Sequence, residues 1–458
     1  MKLIKQSRDI QYKSTTYEYL LKNGVRVLET VKPESTDFDI SVVLKAGSFY
    51  ETQLRVPQGT AHFLEHMLTR PNKKFKTQVE LNNFTYGNKS RPSFYPNAGT
   101  SKRFVYHYAH GQYKAAERMI QYLASGLDYP VRDFSKYIEK ERQIILGEIQ
   151  RKDDPSKDTR LNFDKFFWGE DFPEFAQRVL GTEQSVNEIS VDHLVKFWQQ
   201  LYVANNVVIA IQSPQKLAGE LKKLVQSLAT IFPARPTEVK EKWGGLRAEH
   251  KYRHFRYDPA QGVFLSLNYF YELPPRDQKM DYEKDLKFLL LSDFFYKIGH
   301  DYLREQNGLI YDPSSFNERI LFNFKDRGFS LSCSLENLET VFAKLDHMLS
   351  TYWREFLNSV DGKRWFAGVV SKYIFRRAKY FDSDYAEDLA TEVLDGEDYA
   401  YDVRQSIKAA KKITLSEFTD FVGDFLKIPM GLWLVSPYKD EEIIPIYEKS
   451  KLYEMYKE

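Results

Sequence analysis

Short runs of β-branched residues alternate with longer helix-compatible stretches along this chain, and a chain patterned in this way buries its apolar faces by laying helices against sheets. Residues 25–29 follow the turn Lys22-Asn23-Gly24, and residues 38–46, rich in Ile and Val, close at Gly47-Ser48, so both read as strands. Residues 61–70 mix helix formers with apolar side chains ahead of Pro71, with Thr60 in the place of an N-cap. A longer helix is expected over residues 134–152, where Ile138, Ile144, Ile145 and Ile149 fall at helical spacing before Pro155. Residues 191–202 read as a further amphipathic helix and residues 207–211 as a buried strand. The fold class that follows is α/β or α+β.

At 458 residues the chain is too long for one core. Residues 232–245 (FPARPTEVKEKWGG) combine prolines, charges and paired glycines, and strand-like residues 263–271 and helix-like residues 282–306 resume beyond them. Two domains are expected, 1–235 and 236–458. The 66 basic side chains nearly balance 64 acidic ones, so no large field draws the protein to nucleic acid or anionic lipid. No apolar run reaches the roughly 18 residues that span a bilayer, and the first residues carry neither a secretory apolar core nor transit-peptide character. The expectation is a cytoplasmic protein without nucleic-acid or membrane partners. The single cysteine, Cys333, excludes an internal disulfide and multi-cysteine metal sites, so a transition metal here must rest on His and carboxylate.

Such a set begins at His62-Phe63-Leu64-Glu65-His66. On a helix, positions i and i+4 share a face, so both imidazoles can reach one ion, and Glu65 projects beside it. A carboxylate there can take a proton from a metal-activated water and pass it to a leaving amine. Chance matches to H-x-x-E-H in a chain of this composition number on the order of 0.01. A third ligand is offered by the 134–152 helix, where Glu141 and Glu148 lie two turns apart on a face shared with Ile144 and Ile145. A carboxylate on an apolar face is costly unless paired or metal-bound, so one of the two would complete the site and the other would orient a ligand.

With these residues in view the sequence resembles the pitrilysin/insulinase family of zinc metallopeptidases, whose signature is H-x-x-E-H. Gly47-Ser48, Glu51, the run from Gly59 to Met67, Asn97-Ala98-Gly99-Thr100-Ser101, Glu141, Glu148-Ile149, Gly181-Thr182-Glu183, Tyr202 and Asn205-Asn206 occur in family order. The resemblance implies that His62, His66 and Glu148 bind Zn2+, that Glu65 is the general base and that Glu141 supports a ligand. It places Asn97 and Ala98 on an edge strand along which substrate adds as a further strand. Arg304 and Tyr311, in LREQNGLIY, match the family's Arg and Tyr, which stabilise the developing oxyanion or hold the substrate. The implied architecture is α+β: two similar α/β sandwich domains forming one half of a clamshell. The implied protein is a zinc endopeptidase or oligopeptidase acting on peptides or unfolded segments, as a homodimer in which one copy's Arg304 and Tyr311 serve the other's zinc. The alternative is a non-catalytic or partner-dependent subunit beside a paralogous chain.

Departures from the family occur after Met67, where this chain reads Leu68-Thr69-Arg70-Pro71-Asn72, and in an interval from His66 to Glu148 longer than usual. The surplus is assigned to a loop over residues 82–96 that would reshape the cleft. His107 and His110, three apart in a β-like run, point to opposite faces and read as structural, whereas His250 and His254, with helical ligand spacing but no intervening carboxylate, read as part of a solvated or half-buried strand. Cys333 reads as a small buried residue, and Lys73, Lys74 and Lys76 as a solvated face.

Overall fold

The β-branched runs of the first half assemble into a seven-stranded mixed sheet in the computed structural model. The structure describes residues 1–9, 13–128, 135–152, 155–169, 173–174, 176–237, 251–258, 260, 262–272, 281–319, 324–379, 385–395 and 403–450. The first sheet comprises β1 (Lys2–Asp9), β2 (Ser14–Leu20), β3 (Arg26–Val31), β4 (Asp37–Leu44), β5 (Phe94–Thr100), β6 (Val105–Gln112) and β7 (Val207–Ser213). Its spatial order is β1-β2-β3-β7-β4-β6-β5, with β3 and β7 parallel and the other neighbours antiparallel. Its β7 is buried at every position, as a central strand covered on both faces should be. The lateral strand β5 lies at the sheet's edge.

A second sheet of five strands comprises β8 (Lys251–Arg256), β9 (Val263–Glu272), β10 (Ser314–Arg319), β11 (Phe324–Cys333) and β12 (Met430–Ser436), in the order β10-β11-β9-β12-β8. Only its β12–β8 pair is parallel. Read from the parallel pair outward, β3-β7-β4-β6-β5 and β8-β12-β9-β11-β10 are one topology used twice, the first copy extended by the β1–β2 hairpin. The fold is therefore α+β with two similar sheet-and-helix units. The second unit's core gathers Leu265, Leu267, Phe294, Phe295, Phe329 and Leu432.

The units do not divide the chain at one point. One consists of Met1–Asp154, Phe172–Lys242 and Phe381–Tyr401, the other of Pro155–Asp171, Trp243–Tyr380 and Asp402–Glu458. Sequence reading expected a single break after residue 235, and two short segments cross it. In the second unit, Phe163 and Phe167 of the helix Pro155–Trp168 pack on Trp433 of β12, with ring centroids 5.7 and 6.4 Å away. In the first, the helix Tyr385–Leu394 lays Ala386, Leu389, Ala390 and Val393 on Leu28, Val43, Val208 and Ala210 of β3, β4 and β7. Burial of apolar surface, which no local pattern reports, sets both crossings.

Local differences have local causes. The expected 61–70 helix is α1 (Thr60–Leu68), and its N-cap is Gly59 at φ 90°, not Thr60, whose hydroxyl instead donates to the Pro57 carbonyl at 2.6 Å. A Cβ at Gly59 would stand 2.7 Å from the Leu180 carbonyl oxygen, so left-handed backbone and close approach both require glycine. Residues 82–96 are not one loop: α2 (Gln78–Thr85) occupies the start and β5 the end. The Phe134 end of the next expected helix lies outside the described residues, and that helix runs Ile138–Lys152. The helix expected over 282–306 is α-helical only over Tyr282–Ile298 and continues as a π-helix over Gly299–Glu305.

Candidate active site

The first unit positions its chemistry from three elements. Helix α1 is buried along nearly its whole length, which explains why TAHFLEHML is not a clean amphipathic pattern. The buried Glu51 carboxylate anchors its start by accepting from the Gly59 N–H at 3.1 Å and the Ala61 N–H at 2.8 Å. Burial pushes the Glu51 carboxyl up to about 8, against the two N–H donors and nearby Lys102, which pull it down. With the helix start held, the rings of His62 and His66 stand one turn apart, 4.5 Å between centroids.

The helix Ile138–Lys152 brings the carboxylates. Its Arg142 donates to the Ile189 carbonyl at 2.8 Å and also to that of Val186, which fixes the helix against Glu183–Glu188. Glu148 then points at both histidines, with Oε2 3.8 Å from Nε2 of His62 and Oε1 3.8 Å from Nε2 of His66. One ligand atom from each of His62, His66 and Glu148 lies within 4.8 Å of the others. Separations near 3.8 Å are too long for hydrogen bonds but suit donors that share one ion through bonds of about 2 Å, and two imidazoles with one carboxylate is a donor set that zinc accepts with a position left open. The residues present therefore fit the metal that the motif implies.

Glu141, almost wholly buried, sits 3.5 Å from Nδ1 of His66, the ring nitrogen turned away from Glu148. Its other neighbour is Arg70, 2.6 Å away. Glu65 is also buried, and the Thr100 hydroxyl at the end of β5 donates to its Oε2 at 2.8 Å. Sequence reading assigned no role to Thr100 or Arg70. Thr100 stood within the family-ordered run Asn97 to Ser101, whereas Arg70 stood only as a departure after Met67. Burial first, and then the Glu65 charge, keep the Tyr202 hydroxyl protonated.

Asn97 and Ala98 lie on edge strand β5, where the Asn97 amide donates to the Tyr108 hydroxyl at 3.0 Å and accepts from the Ala98 N–H at 2.9 Å. Glu65, His66, Arg70, Asn97, Ala98 and His107 all border a cavity of about 240 Å3. His107 is buried, and burial lowers its pKa to about 4, so the imidazole is neutral at pH 7. His110, on the opposite face of β6, pairs with Asp39. His254 is bound by Asp440 and Ser436, whereas His250 lies outside the described residues.

Arg304 and Tyr311 belong to the second unit. There the guanidinium stands over the Tyr311 ring, 5.3 Å from its centroid, and Tyr311 is 83% exposed. The intervening turn depends on Gly308 at φ 62°, whose N–H donates to the Arg304 carbonyl at 2.8 Å.

Comparison with known proteins bears on this arrangement. The family model described as "Insulinase (Peptidase family M16)" matches residues 26–163, and that described as "Peptidase M16 inactive domain" matches residues 188–359. The chain belongs to peptidase family M16. Among M16 relatives, a protein named "Uncharacterized zinc protease" from Rickettsia bellii is 27% identical over 213 residues, covering 45% of this chain and 49% of that protein. The mitochondrial-processing peptidase subunit beta of Rattus norvegicus is 27% identical over 193 residues, covering 42% and 37% respectively. The chain thus aligns with less than half the length of either relative. The crystal structure of the first half of the periplasmic protease PqqL from Escherichia coli shares the fold, with a TM-score of 0.75 at 14% identity over 99% of this chain and 97% of that one.

Among the described residues no helix is long and apolar enough to cross a membrane.

Proposed function

We propose that the chain is a zinc-dependent endopeptidase or oligopeptidase that hydrolyses extended peptides or unfolded segments laid along β5. The observation that carries this reading is the convergence of His62, His66 and Glu148 with the buried Glu65 beside them. Bound by those three side chains, zinc would supply Lewis acidity to a water and to the scissile carbonyl. Glu65, held by the Thr100 hydroxyl, accepts the proton of the attacking water at its carboxylate and returns it to the leaving amine. Glu141 faces Nδ1 of His66 and so leaves Nε2 to the metal side. Edge strand β5 has no strand on its outer side among the described residues, and a peptide added there is held by its main chain. The roles of Arg304 and Tyr311 at the developing oxyanion and the homodimeric state complete the proposal on the family resemblance.

Metal analysis of the purified protein should find about one zinc per chain. Glu65→Gln should keep that metal and lose peptide hydrolysis, and a clean Glu65→Gln preparation that still cuts at the wild-type rate would sink the mechanism.

Two observations favour a second reading, in which activity requires a different partner chain. The model described as an inactive domain matches residues 188–359, and one relative is named as a subunit. Size-exclusion chromatography coupled to a peptide assay separates the two. Activity co-eluting with a pure homodimer supports the first reading, and activity only on adding a second chain supports the other.

A further inference from the structure

Lys73, Lys74 and Lys76, a solvated face by sequence alone, open the segment that leads into β5. Residues 73–91 carry five basic side chains, Lys73, Lys74, Lys76, Lys89 and Arg91, against one acidic side chain, Glu80, in a chain whose charges otherwise nearly balance. All five are exposed, and none forms an ion pair among the described residues. Glu80 is turned back on the start of α2, where its carboxylate accepts from the Lys76 N–H at 2.6 Å.

Packing places these charges. Arg118, on the helix Ala116–Leu127, donates to the Pro92 carbonyl at 2.8 Å and to the Tyr86 carbonyl at 3.1 Å. Its guanidinium stands 5.4 Å from the Phe84 ring and 5.0 Å from the Phe94 ring, and Lys74 Nζ lies 5.1 Å from the same Phe84 ring. Arg91 donates to the Asn83 carbonyl at 3.4 Å. Burial, and then the nearby charge of Arg91, pull the Arg118 guanidinium below the usual arginine range. Three cations therefore gather around Phe84, with Glu117 acting on Lys74 as the opposing carboxylate. Like charges held together repel, and an anion laid across them removes that cost.

The segment also sits in line with the site. Thr100, at one end of β5, bonds Glu65, and Phe94, at the other end, lies against Arg118. At about 3.4 Å per residue the two ends are roughly 20 Å apart, so a peptide added along β5 reaches the basic segment about six residues from a bond cut beside Glu65. The rings of Tyr86 and Tyr95, 61% and 76% exposed, add apolar contact there.

We propose that residues 73–91 together with Arg118 form a docking surface for an acidic stretch of the substrate polypeptide, lying about six to ten residues from the scissile bond. The inference rests on the peptidase reading for how the chain lies along β5. Attraction of an acidic peptide needs no cleavage, so the two are tested separately.

Fluorescent peptides would share one cleavage site and carry, on one side of it or the other, a tail of Gly and Ser, of Glu and Asp, or of Lys. On the full-length protein with metal removed by chelation, anisotropy at low ionic strength should show the acidic tail, on one of the two sides, binding about tenfold more tightly than the neutral one, since several exposed charge pairs add small gains. The Lys tail should bind more weakly than the neutral one, and the acidic advantage should shrink severalfold in about 0.5 M salt. With zinc present the advantage should appear in KM and leave kcat unchanged, because the surface lies away from the reacting atoms. The triple variant Lys73→Gln, Lys76→Gln, Lys89→Gln spares Lys74, Arg91 and Arg118, which hold the segment. It should lose most of the acidic advantage and cut the neutral-tailed peptide as the wild type does. Equal binding of acidic and neutral tails by the wild type overturns the surface, and that comparison needs no variant to fold. A single-stranded oligonucleotide of equal charge that binds as tightly as the acidic peptide would overturn the assignment to a polypeptide. A protein that binds with the expected preference but cuts none of the peptides would leave the surface standing and defeat the peptidase reading.

Discussion

Glu65 is useful as a base only if its carboxylate faces the reacting water, and the Thr100 hydroxyl is one group that directs it. The Thr100 hydroxyl donates to Glu65 Oε2 at 2.8 Å, a charge-assisted bond of the kind whose loss costs roughly 1.5–3 kcal/mol. Thr100→Val should therefore lower kcat by about 10- to 100-fold, leave zinc content unchanged and move KM little; steady-state kinetics with metal analysis decides it, and an unchanged kcat would mean that Glu65 is held by other means. Arg70 acts one step further out. Its guanidinium meets the buried Glu141 at 2.6 Å, and Glu141 in turn faces His66. Arg70→Met should weaken zinc binding by about 10- to 100-fold, measured by competition with a chelating dye, because supporting partners of a ligand carry that much affinity. Both residues show where sequence reading stops. His62, Glu65 and His66 were legible because helix periodicity alone brings positions i and i+4 to one side; the second helix offered Glu141 and Glu148 equally, and only the family resemblance singled out Glu148. Thr100 lies 35 residues from Glu65, and no local period joins them.

Among elements, α1 is the one on which the site depends, and its entry is an unusual anchor. Two N–H groups of the first turn end on a carboxylate that belongs to Glu51, outside the helix and fully buried. Glycine at 59 and the apolar residues of the helix were legible, but the expected Thr60 cap was not realised, because a buried acceptor from another segment satisfies those donors. Burial raises the Glu51 pKa to about 8 from 4.5. Below pH 4.5 the group is protonated in both folded and unfolded chains. As pH rises from 4.5 to 8 the unfolded chain ionises first, so the stability present at low pH is progressively lost and is fully lost above the folded pKa. In Glu51→Gln this pH dependence should vanish. Denaturant midpoints across that window should show the wild type losing on the order of 3 kcal/mol relative to the variant, and parallel curves would show that Glu51 is ionised in the folded protein.

At the scale of the whole molecule, one five-strand topology occurs twice and the copies diverge at the same topological place. In the first, the segment between β4 and β5 carries His62, Glu65 and His66; in the second, the segment between β9 and β10 carries Arg304 and Tyr311. Inspection of the sequence reveals no such repeat, because strand order is preserved by backbone pairing while side chains are free to change. The crossing segments were equally illegible. The end of the helix Tyr385–Leu394 is clamped to the first unit by Asp395, which is buried, meets the Arg103 guanidinium at 3.0 Å and lies 3.2 Å from Lys45 Nζ. Removing one member of a buried ion pair leaves an uncompensated charge and typically costs 3–5 kcal/mol. Asp395→Ala should therefore lower the unfolding free energy by about that amount. Arg103→Ala should do much the same, and the double variant should cost far less than the sum, since each single change already breaks the clamp. Equilibrium unfolding of the three variants measures this directly. Additive losses would show that Asp395 and Arg103 act independently and that the apolar face on β3, β4 and β7 alone holds the crossing helix.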